Sequence, residues 1–120
     1  MIHIAIVEDE RLSAERLKVL VQELSPEYSV VALLDSVEST MQWLKDNSSP
    51  DLILLDIQLN DGVGFDLLAD DLTSCPVIFT TAYDEYAVKA FKYNSIDYLL
   101  IHIERAELEN ALTTVTYIHL

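Results

Sequence analysis

Two short apolar runs of this chain end in acidic residues, and these acids are the residues best suited to chemistry. Residues 4–7 are followed by Glu8 and Asp9, and residues 52–55 are followed by Asp56. An unbroken run of Val, Ile and Leu is typical of a strand buried on both faces, as in parallel sheets covered by helices. The carboxyl ends of such strands line one edge of the sheet, so we expect the three carboxylates to meet there.

Three carboxylates at one place need a cation, because their mutual repulsion otherwise raises the pKa of at least one of them. An all-oxygen ligand set suits Mg²⁺ or Mn²⁺ better than Zn²⁺. The sequence therefore predicts a Mg²⁺ or Mn²⁺ site at Glu8, Asp9 and Asp56. Taken alone, an acid at the end of a strand has a structural alternative, since Asp9 would also serve as the N-cap of the next helix.

The elements that must position these acids alternate along the chain. The pattern predicts five strands, of which the second covers residues 30–34, the fourth 77–81 and the fifth 96–100, and five helices between and after them. Ser36 is the expected N-cap of the second helix, and Asp61-Gly62 marks a turn. Apolar stripes at helical spacing define the first and last helices: Leu17, Leu20, Val21 and Leu24, and Leu108, Ala111, Leu112 and Val115.

Strands that alternate with helices imply right-handed crossovers and a parallel sheet with helices on both faces. The predicted fold class is therefore α/β, with a doubly wound five-stranded parallel sheet formed by a single domain over residues 1–120. With 51% hydrophobic residues in a chain of 120, there is enough apolar material for one well-buried core.

The charge of the chain restricts its partners. It carries 21 acidic against 7 basic residues, a formal net charge of −14. Such a charge disfavours direct binding to DNA or to anionic lipid, and favours partners with basic patches.

The start of the chain has no basic segment, and no apolar stretch approaches the roughly 18 residues needed to span a bilayer. We therefore expect a cytoplasmic protein without membrane contact.

The motifs of the chain, taken together in order and spacing, resemble the receiver domain of two-component response regulators. They are IVEDE at residues 6–10, LLDI at 54–57, DG at 61–62, TTA at 80–82 and DYLL at 97–100. The stretch TAYDEYAVKAF at residues 81–91 resembles in particular the receivers of LytTR-type (LytR/AlgR-like) regulators. The resemblance implies a flavodoxin-like (βα)5 fold, which agrees with the predicted count of elements.

The resemblance also implies roles for the acids. Asp56 would accept a phosphoryl group from a sensor histidine kinase, and Glu8 and Asp9 would hold Mg²⁺. Phosphoryl transfer needs a nucleophile, a cation, and donors aimed at the equatorial phosphoryl oxygens. The backbone carbonyl of Gln58 is a further candidate ligand for the metal. A protein of this kind is not a conventional enzyme, although it catalyses its own phosphorylation and slow dephosphorylation.

The resemblance to receivers also implies two residues that would change conformation on phosphorylation, Thr81 and Tyr98. Thr81 and the backbone N–H of Ala82 are the expected phosphate-binding donors. Thr80 competes for the hydroxyl role, but alternation along the strand turns it to the other face. In receivers, the residue that matches Thr81 and the aromatic that matches Tyr98 move together on phosphorylation.

The expected dimer surface comprises the fourth helix, fifth strand and fifth helix, with Tyr86, Lys89, Ala90, Tyr93 and Glu104.

One departure from the receiver pattern concerns the end of the fifth strand. Receivers carry Lys-Pro there, whereas this chain has Ile101 and His102. A charge-assisted contact from such a lysine to the phosphoryl group contributes roughly 1.5 to 3 kcal/mol. Its loss is therefore expected to make the phosphorylated state less stable, while the nucleophile and the metal ligands remain. His102 is a candidate for partial replacement of the missing charge.

Two function classes follow from these observations. The first is a phosphorylation-controlled receiver domain of a transcription regulator, whose LytTR-type DNA-binding output domain is absent from this chain. The second is a pseudo-receiver, a constitutive interaction or dimerisation module, which Ile101 favours and the acids with Thr81 disfavour. A small hydrolase or flavin binder is a weaker alternative, because Gly62 and Gly64 are the only glycines and no Gly-rich phosphate loop is present.

Overall fold

The computed structural model of the protein describes residues 1–56, 58–59, 62–63, 75–81, 98–102 and 105–119, and strands and helices alternate in the first of these segments. The strands are β1 (Ile2–Val7), β2 (Tyr28–Leu34), β3 (Leu52–Asp56), β4 (Gln58–Leu59), β5 (Gly62–Val63), β6 (Val77–Thr81) and β7 (Tyr98–His102). The helices are α1 (Arg11–Leu24), α2 (Val37–Asp46) and α3 (Arg105–His119), of which α3 is the fifth helix of the sequence prediction.

Five of the strands form one sheet in the order β2-β1-β3-β6-β7, and every neighbouring pair in it is parallel. β4 and β5 pair separately as a short antiparallel hairpin. The chain winds outward in one direction from β1 to β2 and in the other from β3 to β7. The carboxyl ends of β1 and β3 therefore flank the point where the strand order reverses, which is the usual ligand crevice of such sheets.

The central strands alternate their side chains between two apolar cores, one on each face of the sheet. Ile4 and Ile6 contribute to the core that also contains side chains of α1 and α3. Ala5 and Val7 contribute to the core on the opposite face, against which α2 packs. Burial of an aliphatic side chain of this size contributes about 1.5–3 kcal/mol. The two cores hold β1 from both sides and so fix the position of the residues that follow it.

Helix α2 begins with a capping box. The hydroxyl of Ser36 accepts a hydrogen bond from the backbone N–H of Ser39 at 2.9 Å, and the Ser39 hydroxyl accepts one from the N–H of Ser36 at 3.2 Å. Such a cap contributes about 1 kcal/mol to helix stability. At α1, by contrast, the N-cap residue Glu10 makes no side-chain capping hydrogen bond.

The sequence-based expectations for the first and last helices are confirmed. Leu17 and Val21 of α1 are fully buried, as are Leu108 and Leu112 of α3. Ser36 is the N-cap that the sequence predicts for α2. The predicted third and fourth helices lie outside the described residues.

Two strand boundaries differ from the prediction. β2 starts at Tyr28, two residues before the expected residue 30, and β7 extends to His102 instead of ending at residue 100. The extension at β7 occurs because Ile101 and His102 pair with the last two residues of β6. Both residues, which follow the predicted strand, are therefore part of the observed one. No helix of the described residues combines the length and apolar character needed to cross a bilayer.

Strand β2 forms one edge of the sheet and is irregular. Ile4 pairs with Val30, but the next residue, Ala5, pairs with Ala32, so the register shifts by one residue at Val31. The extra residue is typical of a β-bulge, which bends a strand and increases its local twist.

Candidate functional site

The carboxyl ends of β1 and β3 bring three acids together. Val7 and Leu55 are partners in the register of these strands, so Glu8 and Asp56 follow them side by side. Asp9 is the next residue of the connection to α1. One carboxylate oxygen from each of Glu8, Asp9 and Asp56 lies within 4.8 Å of the others. The strand pattern of the sequence thus correctly predicts that these acids meet.

Glu8 is the most buried of the three acids. It is 8% exposed, whereas Asp9 and Asp56 are half-buried. Its Oε1 accepts a hydrogen bond from the backbone N–H of Glu10 at 3.3 Å, which favours the ionised form. Burial, and then the hydrogen bond and negative charge of Asp56, outweigh this effect and raise the pKa of Glu8 from 4.5 to about 8. Without a bound cation, Glu8 therefore holds a proton at neutral pH.

The donor set of the cluster fits a hard divalent cation. It consists of carboxylate oxygens alone, which Mg²⁺ and Mn²⁺ prefer, and its partial exposure leaves room for the waters that Mg²⁺ retains. A positive ion would also relieve the repulsion that raises the pKa of Glu8. Because binding requires Glu8 to lose its proton, the metal affinity of such a site depends on pH.

The strand register relates the acid cluster to the end of β7. Asp56 lies opposite Thr80, and Thr80 opposite Ile101, so the three form one row across the sheet. Thr81 and His102 face each other in the next row. Neighbouring strands are about 4.8 Å apart, which puts the backbone of Ile101 roughly 10 Å from that of Asp56. Thr80 is 1% exposed and is packed inside the sheet.

The other predicted site residues are described in backbone only or not at all. Gln58 is the first residue of β4, two positions after Asp56, and Thr81 is the last residue of β6. Tyr98 is the first residue of β7. Ala82 lies outside the described residues, as do the expected dimer-surface residues Tyr86, Lys89, Ala90, Tyr93 and Glu104.

A cleft of about 320 Å³ lies beside the acid cluster and shares Glu8 and Asp9 with it. Among the described residues that line this cleft, Arg11 is the one basic residue. The sequence analysis missed Arg11, although its position directly after Glu8, Asp9 and Glu10 is a usable signal. The remaining lining residues come from α1, the end of β2 and the start of α2: Ala14, Glu15, Leu33, Leu34, Asp35 and Ser39.

Comparison of the sequence with known families gives one match that covers most of the chain. Residues 4–113 match the family described as response regulator receiver domain. The sensory transduction protein LytT of Enterococcus faecalis is 42% identical over 114 residues, which cover 92% of this chain and 46% of that protein. The transcriptional regulatory protein BtsR of Escherichia coli is 39% identical over 114 residues, which cover 93% of this chain and 47% of that protein.

Comparison of the fold with solved structures also finds response regulators. The crystal structure of the response regulatory domain of protein mrkE from Klebsiella pneumoniae superimposes with a TM-score of 0.77 at 30% sequence identity, covering 97% of this chain and 96% of that one. A two-component response regulator from Clostridium difficile has a TM-score of 0.79 at 23% identity and therefore supports the fold alone. The chain spans less than half the length of the curated relatives LytT and BtsR that it matches.

Proposed function

The chain belongs to the response regulator receiver domain family of two-component signalling, and from this membership we propose that Asp56 accepts a phosphoryl group from a sensor histidine kinase. The observation that carries the proposal is the close approach of the Asp56 carboxylate to those of Glu8 and Asp9, within 4.8 Å, at the carboxyl edge of a parallel sheet. Asp56 is also half-buried, so that a donor can reach one of its oxygens.

In the proposed transfer, an oxygen of the ionised Asp56 carboxylate attacks the phosphorus of a phosphohistidine. The bond between phosphorus and the imidazole nitrogen breaks, the new bond to Asp56 forms an acyl phosphate, and the departing imidazole takes a proton from solvent. Water later hydrolyses the acyl phosphate, which releases phosphate and restores the Asp56 carboxylate. The domain promotes its own phosphorylation and slow dephosphorylation in this way.

Glu8, Asp9 and Asp56, with the backbone carbonyl of Gln58, are the proposed ligands of Mg²⁺ or Mn²⁺. The bound cation supplies positive charge that offsets the negative charge of the transferring phosphoryl oxygens. Glu8 contributes by exchanging its proton for the metal, and Asp9 by adding a second negative charge from the β1–α1 connection. The composition of the cluster supports this assignment, since it contains only oxygen donors.

The hydroxyl of Thr81 and the backbone N–H of Ala82 are the proposed donors to the phosphoryl oxygens. Thr81 is the last residue of β6, the strand that neighbours the one ending in Asp56, which supports a position near the phosphoryl group. Thr81 and Tyr98 would then act as the switch that reports phosphorylation to the surface of the fourth helix, β7 and α3, where we propose that two copies of the domain associate.

The output of the signal is proposed from the relatives. Their names describe sensory transduction and transcriptional regulation, and this chain covers less than half of them. We infer that residues 1–120 are the receiver unit of a cytoplasmic transcription regulator whose output domain is of the LytTR DNA-binding type. The receiver itself is not expected to bind DNA, because its net charge is −14.

A second candidate function has one specific observation in its favour. Ile101 lies in the same row of the sheet as Asp56, at the position where receivers carry a lysine, and offers neither charge nor a hydrogen-bond donor. A pseudo-receiver, which binds partners constitutively and is not controlled by phosphorylation, would tolerate this residue.

Intact-mass measurement separates the two functions. The chain is incubated with acetyl phosphate and Mg²⁺, with a parallel sample in which the metal is chelated. A receiver gains the mass of one phosphoryl group, and the gain depends on Mg²⁺. A pseudo-receiver keeps its mass in both samples, and that result would reject the proposed phosphotransfer.

A further inference from the structure

Arg11 is the first residue of α1 and lines the cleft that shares Glu8 and Asp9 with the acid cluster. One residue, Glu10, separates it from Asp9 along the chain, and the carboxylates of Asp9 and Asp56 belong to the same group within 4.8 Å. Its side chain is exposed. A long, flexible guanidinium side chain therefore begins beside Asp9. Asp56 does not line this cleft, so Arg11 reaches the proposed phosphoacceptor by extending past Asp9.

The stability of α1 does not explain a positive charge at this position. The N-terminus of a helix carries partial positive charge, so a cation in the first turn is unfavourable there. Glu15 follows Arg11 by four residues, which is the less favourable order for a helical ion pair. In the part of the chain that the structure describes, no hydrogen bond or ion pair of the Arg11 guanidinium is found. Among the described residues, it therefore has no partner to leave before it binds a new anion.

Phosphorylation changes the charge balance next to Arg11. The phosphoryl group carries about −1.5 to −2 charges and replaces the single charge of the Asp56 carboxylate, so that together with ionised Glu8 and Asp9 the site holds more negative charge than one divalent cation neutralises. Ile101 brings no compensating charge. Of the other basic residues that the structure describes, Arg105 pairs with Glu23 at 3.1 Å, and none lines the cleft: Arg16, Lys18, Lys45 and Arg105.

We propose that Arg11 binds the phosphoryl oxygens on Asp56 and supplies the positive charge that Ile101 lacks. The guanidinium forms charge-assisted hydrogen bonds with two of these oxygens, a geometry that suits its planar fork. Arg11 is thus a phosphoryl-binding residue contributed by α1 instead of by the end of β7. This inference rests on the proposed phosphorylation of Asp56.

The test measures binding of the phosphate mimic beryllofluoride, with Mg²⁺ present, by ¹⁹F NMR titration. Arg11→Ala is expected to bind beryllofluoride about tenfold more weakly than the unchanged chain, because a charge-assisted contact is lost. Arg16→Ala is the matched control, since it removes the same charge from an exposed residue of the same helix that does not line the cleft. It should bind as the unchanged chain does.

Two further variants distinguish phosphoryl binding from a structural role of Arg11. Arg11→Lys should recover part of the affinity, and Ile101→Lys added to Arg11→Ala should recover most of it by restoring the charge from the other side. Equal affinities of Arg11→Ala and Arg16→Ala would overturn the inference while leaving the proposed function intact. Absence of beryllofluoride binding and of a phosphoryl mass in the unchanged chain would instead reject the proposed function itself, and the inference with it.

Discussion

Ile101 lies directly opposite Thr80 in the register of β6 and β7, in the row of the sheet that begins at Asp56. Two strand spacings, roughly 10 Å, separate the backbones at the ends of this row. A lysine at position 101 would offer a positive charge and a hydrogen-bond donor at the end of this row, whereas isoleucine offers neither. The row thus defines the part of the site in which this chain differs from other receivers, and the predictions that follow separate that part from the rest.

Asp56→Asn should abolish labelling by acetyl phosphate. An amide oxygen is a poor nucleophile and cannot form the acyl phosphate, while Asn keeps the size of Asp. The expected result is no phosphoryl mass in the variant under conditions that label the unchanged chain. Asp35→Asn is a suitable control, because Asp35 is an exposed acid that follows β2 at the same edge of the sheet. Labelling of Asp56→Asn at the unchanged rate would mean that another residue is the acceptor.

Asp9→Ala should weaken Mg²⁺ binding by roughly one to two orders of magnitude, because one of three anionic ligands is lost. Isothermal titration calorimetry or a fluorescence titration measures the change. Glu10→Ala serves as the control, since it removes an equal charge from the neighbouring residue but no ligand of the cluster, and the backbone N–H that donates to Glu8 is retained. Equal losses in the two variants would indicate a general effect of charge instead of a ligand role.

The raised pKa of Glu8 predicts that the metal-free protein becomes less stable as the pH rises. The folded state keeps the Glu8 proton up to a pH of about 8, whereas the unfolded chain releases it near 4.5. Between these values the folded state binds more protons, so the free energy of unfolding falls as the pH increases. Urea denaturation with a metal chelator, at several values between about pH 5 and about pH 9, measures the slope.

Glu8→Gln isolates this effect, because Gln retains hydrogen-bonding capacity but does not titrate. The unfolding free energy of the variant should decline less with pH than that of the unchanged chain. In the unchanged chain, Mg²⁺ affinity should rise with pH up to about 8 and level off above it, where Glu8 is ionised without the metal. Parallel stability curves for the two proteins would contradict the raised pKa.

Replacing Ile101 with Lys and His102 with Pro should increase the response of the domain to phosphorylation. A ligand shifts a two-state equilibrium only by its different interaction with the two states, and a lysine that contacts the phosphoryl group adds such a difference. Sedimentation velocity with and without beryllofluoride measures dimerisation of both proteins. We expect the double variant to dimerise with the mimic and the unchanged chain to remain mostly in its resting state.

A similar response of both proteins would show that the lysine is dispensable here. The group that couples the phosphoryl group to dimerisation would then be another one, and His102 and Arg11 are the candidates. Arg11→Ala and His102→Ala, each made with Ile101 retained, tell them apart, because each variant removes one candidate and adds no new charge.

The acid cluster can be predicted from the sequence because its position depends only on where two strands end and on how those strands pair. Buried strands that end in acids, together with parallel pairing, are sufficient to bring Glu8 and Asp56 to one edge. The strand predicted over residues 96–100 ends two residues before the observed end of β7 at His102. Backbone pairing with Thr80 and Thr81 extends the strand instead, and pairing between distant segments is not visible in local composition.

The cleft beside the cluster could not be derived from the sequence for a related reason. It depends on how the first turn of α1, the end of β2 and the start of α2 approach one another, and none of these has a distinctive motif for such a contact. Arg11 was accordingly overlooked, although the neighbouring acids were identified. The roles of Thr81 and Tyr98 come from the family resemblance and stay predictions.

The register shift at Val31 has a consequence for the behaviour of the protein at high concentration. β2 is an edge strand without a charged residue, and Val31 and Leu33 in it are 41% and 36% exposed. A straight apolar edge of this kind is a template for strand addition and aggregation. The bulge interrupts the regular spacing of backbone groups along that edge and twists it, so a second chain cannot pair along its full length. The irregularity thus protects a strand that lacks the lysines and prolines with which other edges are kept soluble.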